Sequence, residues 1–214
     1  MRQLTFGTPL RSLLVVGAHS DDIEIGCGGT LLRLVAENPG LHLTWLVMCS
    51  TPERRDEAQA SAEAFAKGAG SIDVVIHDLP DGRLPDVWTT AKDVMREVGA
   101  AAQPEVVLTH ALHDLHQDHR LVAELSWQIF RDHLLLGCEI PKYDGDLTTP
   151  NLYVALDEEI VDRKVELLLA HFPTQAGKHW FHPETFRGLM RVRGVECRAP
   201  SGYAEGFHAR KVLI

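Results

Sequence analysis

Apolar and polar positions alternate in blocks along this chain, and each block has the length of a strand or of a helix. Four continuous apolar runs have the length of buried strands, and they cover residues 12–18, 41–49, 72–76 and 105–109. Helix-like segments follow them, at residues 28–36, between Thr51 and Gly68, at residues 87–101 and at residues 120–135. This alternation predicts a Rossmann-like three-layer α/β fold, in which a mainly parallel sheet lies between two layers of helices.

The last third of the chain has a less regular pattern. A loop rich in turn-forming residues covers residues 144–150, and a short apolar run at residues 152–155 predicts another strand. Helices are expected after Asp157, where apolar residues recur on one face, and at residues 183–192. Because no linker, internal repeat or low-complexity tract interrupts the pattern, we expect residues 1–214 to form a single domain.

The composition is that of an ordinary globular protein and argues against some classes of partner. Hydrophobic residues make up 45% of the 214 residues, charged residues make up 24%, and the formal net charge is −9. This acidic balance argues against a nucleic-acid surface, which needs clustered Lys and Arg. No apolar run approaches the ~20 residues of a membrane span. Since the first residues also lack a signal-peptide pattern, we expect a cytoplasmic protein without an integral membrane segment.

The four cysteines are far apart and form no Cys-x-x-Cys pair; they are Cys27, Cys49, Cys138 and Cys197. Metal sites and redox sites built from cysteine usually show such close pairs. We therefore expect small core residues rather than disulfides or thiolate ligands.

Two short polar clusters follow apolar runs, and their residue types are those of a metal site. Residues 19–22, His-Ser-Asp-Asp, follow the first run, and residues 116–119, His-Gln-Asp-His, follow the fourth. Loops at the carboxyl ends of strands in an open parallel sheet meet in one crevice, so both clusters are expected to converge there. Imidazoles and carboxylates are the ligands of catalytic zinc, and adjacent buried aspartates repel unless a cation or donors compensate.

The two clusters together contain enough residues for three metal ligands and a general base. Catalytic zinc usually has three protein ligands and one open position, which His19, His119 and one aspartate would satisfy. The other aspartate would then act as a general base toward an attacking water. The residues alone leave open which of Asp21 and Asp22 binds the metal.

The second cluster contains further candidates. His116 is placed to stabilise an oxyanion and to protonate a leaving amine, and Asp118 to orient one of the imidazoles. His110 and His113 recur with the same three-residue spacing, which does not keep side chains on one helix face. We expect these two histidines to be packing residues or outer partners of the metal ligands.

Other functions use the same residues and fit less well. Residues 26–29, Gly-Cys-Gly-Gly, lack the spacing of a dinucleotide-binding loop and the lysine of a phosphate loop. Two histidines and one aspartate also occur in non-haem iron oxygenases, but those triads commonly lie on double-sheet β architectures. A simple helix cap by Asp21 and Asp22 would not account for the second cluster.

Two motifs and two shorter segments resemble a known family. Residues 18–31, Ala-His-Ser-Asp-Asp-Ile-Glu-Ile-Gly-Cys-Gly-Gly-Thr-Leu, resemble the N-terminal signature of the PIG-L and LmbE-like zinc deacetylases. Residues 114–120 resemble the second signature, and the resemblance continues at residues 79–84 and 203–207. Ser20 departs from the family, which has proline there, but this change removes no ligand.

The resemblance implies a role for each residue of the first cluster. It implies that His19, Asp22 and His119 bind zinc, although Fe²⁺ or another divalent metal is an alternative. It implies that Asp21 is the general base.

The resemblance also suggests residues that act on the substrate. His116 takes the position of the histidine that polarises the acetyl carbonyl and protonates the amine, with Asp118 as its orienting partner. Arg54 and Asp81 lie where relatives often contact sugar hydroxyls, and Asp114 stands where some thiol-cofactor deacetylases carry a tyrosine. These last three residues are candidates for substrate binding.

The function implied by the resemblance is zinc-dependent removal of an N-acetyl group from an acetylated amino sugar or a related glycoconjugate. Two alternatives stay open: an amidase for a bulkier acyl group or a thiol conjugate, and a non-catalytic sugar-binding protein. The expected partner is a small molecule rather than a nucleic acid. Relatives are often homo-oligomers, but no segment of the sequence marks an interface.

Overall fold

The computed structural model describes residues 9–213, and the strands in this part of the chain form one sheet. The strands are β1 Ser12–Gly17, β2 His42–Val47, β3 Ser71–Ile76, β4 Val106–His110, β5 Leu134–Cys138, β6 Leu152–Leu156 and β7 Tyr203–Ala209. The α-helices are α1 Asp22–Glu37, α2 Pro52–Phe65, α3 Trp88–Ala102, α4 Gln117–Ile129, α5 Glu158–His171 and α6 Pro183–Cys197. None of these described helices is long and apolar enough to cross a membrane.

The strand order confirms the predicted α/β fold. Along the sheet the order is β3-β2-β1-β4-β5-β7-β6. The strands from β3 to β5 are parallel, whereas β7 runs antiparallel to both β5 and β6. The order reverses between β1 and β4, so the loops that follow these two strands diverge to opposite faces and leave a crevice between them. This crevice is where the sequence predicted the two polar clusters to meet.

Side chains that alternate along each strand pack against helices on both faces of the sheet. On β1, Leu13 and Val15 join the apolar cluster formed with α1, α2, α5 and α6. Leu14 and Val16 join a second cluster, formed with α3 and α4. All four side chains are buried, as expected for a central strand covered on both sides. The three predicted layers are therefore present.

One predicted helix is wrong over its last six residues, 130–135. The sequence pattern predicted a helix over residues 120–135, but α4 ends at Ile129 and residues Leu134–Cys138 form β5. A short leucine-rich run fits a buried helix and a buried strand equally well when only its periodicity is considered. Pairing decides the outcome, because β5 lies between β4 and β7 and its backbone groups bond to both neighbours.

Helix α1 begins six residues earlier than the sequence predicted, at Asp22 rather than at residue 28. Its glycines, which disfavour a helix in isolation, are used for close packing. A Cβ at Gly28 would lie 2.7 Å from the Phe65 ring, and one at Gly29 would overlap Leu156. The early start places Asp22 in the first turn, where the helix dipole favours a carboxylate.

A buried ion pair supports the glycine-rich part of α1. The Glu205 carboxylate accepts hydrogen bonds from the backbone N–H groups of Gly29 (2.8 Å) and Thr30 (2.6 Å). Lys164 donates to Glu205 at 2.7 Å and also to the carbonyl oxygen of Ile25. In a regular helix this carbonyl accepts the backbone N–H of Gly29. The pair therefore satisfies donors and acceptors in the middle of α1 and ties this helix to α5 and β7.

The four cysteines are free, and three of them, Cys27, Cys49 and Cys138, are buried. Burial raises the pKa of the Cys49 thiol to about 12 and raises that of Cys27 as well. Both side chains therefore stay protonated near neutral pH and are poor metal ligands.

The Lys164–Glu205 pair gives a stability prediction. Lys164→Met leaves the Glu205 charge buried without its cation, and we expect a loss of about 3–5 kcal/mol in the free energy of unfolding. The neighbouring Arg163 forms an exposed pair with Glu166, and Arg163→Met should cost less than about 0.5 kcal/mol. Urea denaturation of both variants checks this, and equal, small losses would contradict the role given to the buried pair.

Candidate metal and active site

The structure brings both polar clusters together in the crevice between β1 and β4. His19 lies in the loop after β1, and Asp22 begins α1. His119 lies in the first turn of α4, after the loop that follows β4. All three side chains are buried, and the imidazoles of His19 and His119 approach to 3.1 Å although they are 100 positions apart.

Three donor atoms form a triangle with nearly equal sides. His19 Nδ1 lies 3.1 Å from His119 Nε2 and 3.2 Å from Asp22 Oδ2. His119 Nε2 lies 3.4 Å from the same Asp22 oxygen. A tetrahedral ion with ligands at about 2.1 Å places them about 3.4 Å apart, so this triangle has the size of one face of such a site.

Each imidazole of the triangle gives its other ring nitrogen to a buried carboxylate. His19 Nε2 lies 3.2 Å from Asp118 Oδ2, and His119 Nδ1 lies 3.0 Å from Asp114 Oδ2. A carboxylate on the far nitrogen fixes the tautomer and the ring orientation of a metal-binding histidine. The triangle therefore has the outer partners that metal sites require.

The charges of the three donors also match a cation. Burial alone would lower the pKa values of the histidines, but Asp22 and the hydrogen-bonded carboxylates raise that of His19, and Asp22 with Asp114 raise that of His119 to about 9. Against burial, the same imidazoles hold the pKa of Asp22 well below its ordinary value. Without a metal, protons on the two imidazoles supply the positive charge beside Asp22. A divalent ion bound by the three donors would supply that charge instead, so the charges of these residues fit a bound metal.

Asp21 lies beside the triangle and is held by Arg54. The predicted cap is present at the start of α2, where Thr51 Oγ1 accepts the Arg54 N–H at 3.3 Å. From this first turn the Arg54 guanidinium donates to Asp21 Oδ1 at 2.6 Å. Burial raises the pKa of Asp21 above its ordinary value, although Arg54 opposes the shift. Arg54, expected at the substrate, therefore contacts the candidate base.

His116 is partly exposed, and its ring stacks on that of His119 and meets that of His19 edge-on. Its ring lies 4.5 Å from that of His119 and 4.9 Å from that of His19, measured between centroids. The backbone N–H of Asp118 donates to His116 Nδ1 at 3.2 Å. A neutral ring in this position carries its proton on Nε2, which leaves one hydrogen-bond donor for another partner.

The Asp118 carboxylate contacts a different histidine from the one that the sequence suggested. It lies against His19, and only its backbone N–H reaches His116. The backbone N–H groups of Gly82 (2.6 Å) and Leu84 (3.0 Å) also donate to this carboxylate. The turn-rich loop after β3 therefore fixes Asp118, which in turn orients His19.

The other two substrate-binding candidates are placed very differently. The Asp81 side chain is 66% exposed at the edge of the crevice, and its Oδ1 lies 3.1 Å from His19 Nε2. Asp114 is buried, its Oδ2 faces His119, and its Oδ1 lies 3.0 Å from Lys142 Nζ. Against burial, His119 and Lys142 hold the pKa of Asp114 below its ordinary value. No sequence pattern marked Lys142, which is a single lysine in an irregular loop.

The remaining histidines of the loop lie outside the triangle. His110 is buried and stacks on His119, and its Nε2 accepts the Ala18 N–H at 2.9 Å, which uses the lone pair a metal would need. Burial lowers the pKa of His110 to about 4. His113 lies nearer the surface and contacts Thr148 Oγ1 at 2.8 Å. Both placements agree with roles outside the ligand set.

Comparisons with known proteins show similarity to deacetylases and to a hydratase. The PIG-L family model, described as GlcNAc-PI de-N-acetylase, matches residues 14–130. An uncharacterised deacetylase, YaiS of Escherichia coli K12, is 28% identical over 172 residues, which cover 75% of this chain and 90% of YaiS. The 4-oxalmesaconate hydratase of Pseudomonas putida is 31% identical over 143 residues, 58% of this chain and 53% of the hydratase.

A solved structure shares the fold over nearly the whole chain. The N,N'-diacetylchitobiose deacetylase of Pyrococcus horikoshii superposes with a TM-score of 0.70 at 18% identity, over 94% of this chain and 84% of that protein. The family match spans more than half of the present chain and includes both polar clusters. The chain therefore belongs to the PIG-L family and is a deacetylase-like protein.

Proposed function

We propose that this protein is a zinc-dependent N-deacetylase that converts an N-acetylated amino sugar or related glycoconjugate into acetate and a free amine. The observation that carries the proposal is the triangle of His19, Asp22 and His119, with sides of 3.1–3.4 Å and the Asp21 carboxylate next to it. Two imidazoles and one carboxylate favour zinc, and they also suit Fe²⁺. The family match and the YaiS similarity support hydrolysis of an amide.

The triangle and its neighbours suit amide hydrolysis. A divalent metal held by the triangle supplies Lewis acidity toward a water molecule and a carbonyl oxygen. Asp21 accepts a proton from the attacking water, and Arg54 keeps that carboxylate in position. That proton then passes to the departing nitrogen as the C–N bond breaks. The second water proton moves from the new carboxylic acid to the amine, so the products are acetate and an ammonium group.

His116 completes the arrangement from the substrate side. One of its ring nitrogens lies within 4.8 Å of donor nitrogens of His19 and His119. Its Nε2–H donates to the oxygen of the acetyl group as negative charge develops there, which lowers the barrier to attack. The backbone hydrogen bond to Nδ1 holds the ring in the tautomer that this role requires.

The charges around the site favour an uncharged acetamide over an anionic substrate. Two cations border the crevice, and each is already paired with a buried carboxylate: Arg54 with Asp21 and Lys142 with Asp114. Among the described side chains of the site, no unpaired buried cation is left for a substrate carboxylate. A neutral amide needs none, so deacetylation fits better than hydration of a carboxylate such as 4-oxalmesaconate.

Acetate release from a panel of N-acetylated sugars, nucleotide-sugars and glycosides tests the proposal. We expect chelator-sensitive release from at least one substrate, restored by added Zn²⁺. Matched substrates with longer acyl groups separate a deacetylase from a broader amidase. Hydration of 4-oxalmesaconate without any amide hydrolysis would overturn the proposal, and metal binding without turnover on any substrate would favour a non-catalytic binder.

Asp21→Ala should abolish most turnover without removing the metal. Loss of the general base is expected to lower kcat about 10²–10⁴-fold, because the water then lacks a proton acceptor. The exposed Asp86 carboxylate pairs with Arg83 away from the triangle, so Asp86→Asn is the matched control with normal turnover. Wild-type turnover in Asp21→Ala would rule out this residue as the base.

His119→Ala should lose the metal itself. Removing one of the three ligands leaves two donor atoms, which is too few for tight binding, and it takes from Asp114 Oδ2 its imidazole partner. His113→Ala removes a histidine from the same loop but outside the triangle, and it should retain full occupancy. Metal analysis of both purified variants checks the assignment, and one equivalent of zinc in His119→Ala would exclude His119 as a ligand.

A further inference from the structure

A loop between β5 and β6 reaches the segment that carries His119 through one lysine, Lys142, whose side chain is largely shielded from solvent. Lys142 Nζ lies 2.6 Å from Asp146 Oδ2 in the same loop and 3.0 Å from Asp114 Oδ1 in the segment after β4. The side chains of Lys142, Asp146 and Asp114 are only 11%, 6% and 4% exposed. These three residues form a buried network rather than a surface salt bridge.

Asp114 connects this network directly to a candidate metal ligand. Its Oδ2 lies 3.0 Å from His119 Nδ1, and its Oδ1 accepts the backbone N–H of His116 at 2.9 Å in addition to the lysine. Every polar atom of the carboxylate is therefore occupied by the protein. The chain of contacts runs from Lys142 through Asp114 to His119, whose opposite nitrogen belongs to the donor triangle.

We expect such a network to fix the positions of its three side chains more than to raise the free energy of unfolding. Three ions must lose their water when Lys142, Asp114 and Asp146 are buried, and their mutual attraction offsets this cost only in part. Apolar residues of similar volume would fill the same space at no such cost. A buried cation is needed, however, if two carboxylates are to remain charged and fixed beside each other.

We propose that Lys142 is a positioning residue of the metal site: it holds the Asp114 carboxylate at the distance and angle that orient His119 toward the ion. This inference rests on the proposed metal site. A ligand imidazole that loses its outer carboxylate can rotate, and loss of such outer partners typically weakens metal binding 10–100-fold. Lys142 acts one contact further out, through the carboxylate.

The same loop offers a matched control. Thr148 Oγ1 contacts His113 at 2.8 Å, which ties the loop to the segment after β4 without involving Asp114. Thr148→Val removes this contact and leaves the Lys142–Asp114 pair unchanged. Asp146→Asn is a milder variant, because an asparagine oxygen can still accept the Leu115 N–H that Asp146 binds at 2.7 Å.

Zinc affinity of the metal-free protein, measured by competition with a chromophoric chelator, tests the role of Lys142. Lys142→Met should bind zinc about tenfold more weakly or worse, Asp146→Asn should show a smaller loss in the same direction, and Thr148→Val should match the wild type. A merely structural lysine would lower the thermal midpoint of the metal-free protein but leave zinc affinity unchanged. Unchanged affinity in Lys142→Met, or in Asp146→Asn if the first variant does not fold, would overturn the proposal.

The zinc-affinity measurement contains no substrate, so its result does not depend on catalysis. Weak zinc binding in Lys142→Met, together with tight binding by the wild type, would support the role of Lys142 even if no acetate were released. Failure of the wild type itself to bind zinc would overturn the metal site and the role of Lys142 together. The proposed deacetylase activity and the positioning role therefore fail in distinguishable ways.

Discussion

Buried aspartates in the crevice between β1 and β4 need partners for their negative charge. This need constrains the segments that surround the crevice. Five aspartates surround two imidazoles there, and four of the five are buried. A buried carboxylate without a partner is costly, so each must find a cation or a hydrogen-bond donor. The protein partners come from separate segments: Arg54 for Asp21, Lys142 for Asp114, and the backbone N–H groups of Gly82 and Leu84 for Asp118. These segments are fixed by the carboxylates they neutralise, which explains how irregular loops hold a defined geometry.

A second buried ion pair, Lys164–Glu205, connects the helix that carries Asp22 to α5 and β7. Helix α1 carries Asp22 at its first turn, yet its middle contains glycines that give little helix stability. Lys164 and Glu205 satisfy the backbone groups in this stretch from α5 and β7. The carboxyl-terminal strand therefore helps to position a residue of the donor triangle near the start of the chain.

The architecture was largely predictable because it depends on local pattern. The apolar runs predicted β1 to β4, and Thr51 marked the start of α2. Where local pattern is ambiguous, prediction failed. Residues 130–135 were assigned to a helix because a leucine-rich run has no informative period, and α1 was started late because glycine has a low helix propensity. In both cases contacts from distant segments decided the structure.

The sequence by itself determined the chemistry available at the site and where it would gather. Histidines and aspartates that closely follow β1 and β4 must converge, since the carboxyl ends of these strands flank the same crevice. Only the tertiary structure decided which carboxylate meets which imidazole. Asp118 orients His19 rather than His116, Arg54 holds Asp21, and Lys142 holds Asp114. These pairings depend on hydrogen-bond distances between segments tens of residues apart, and such distances are set by the packing of the whole sheet and its loops rather than by any local pattern.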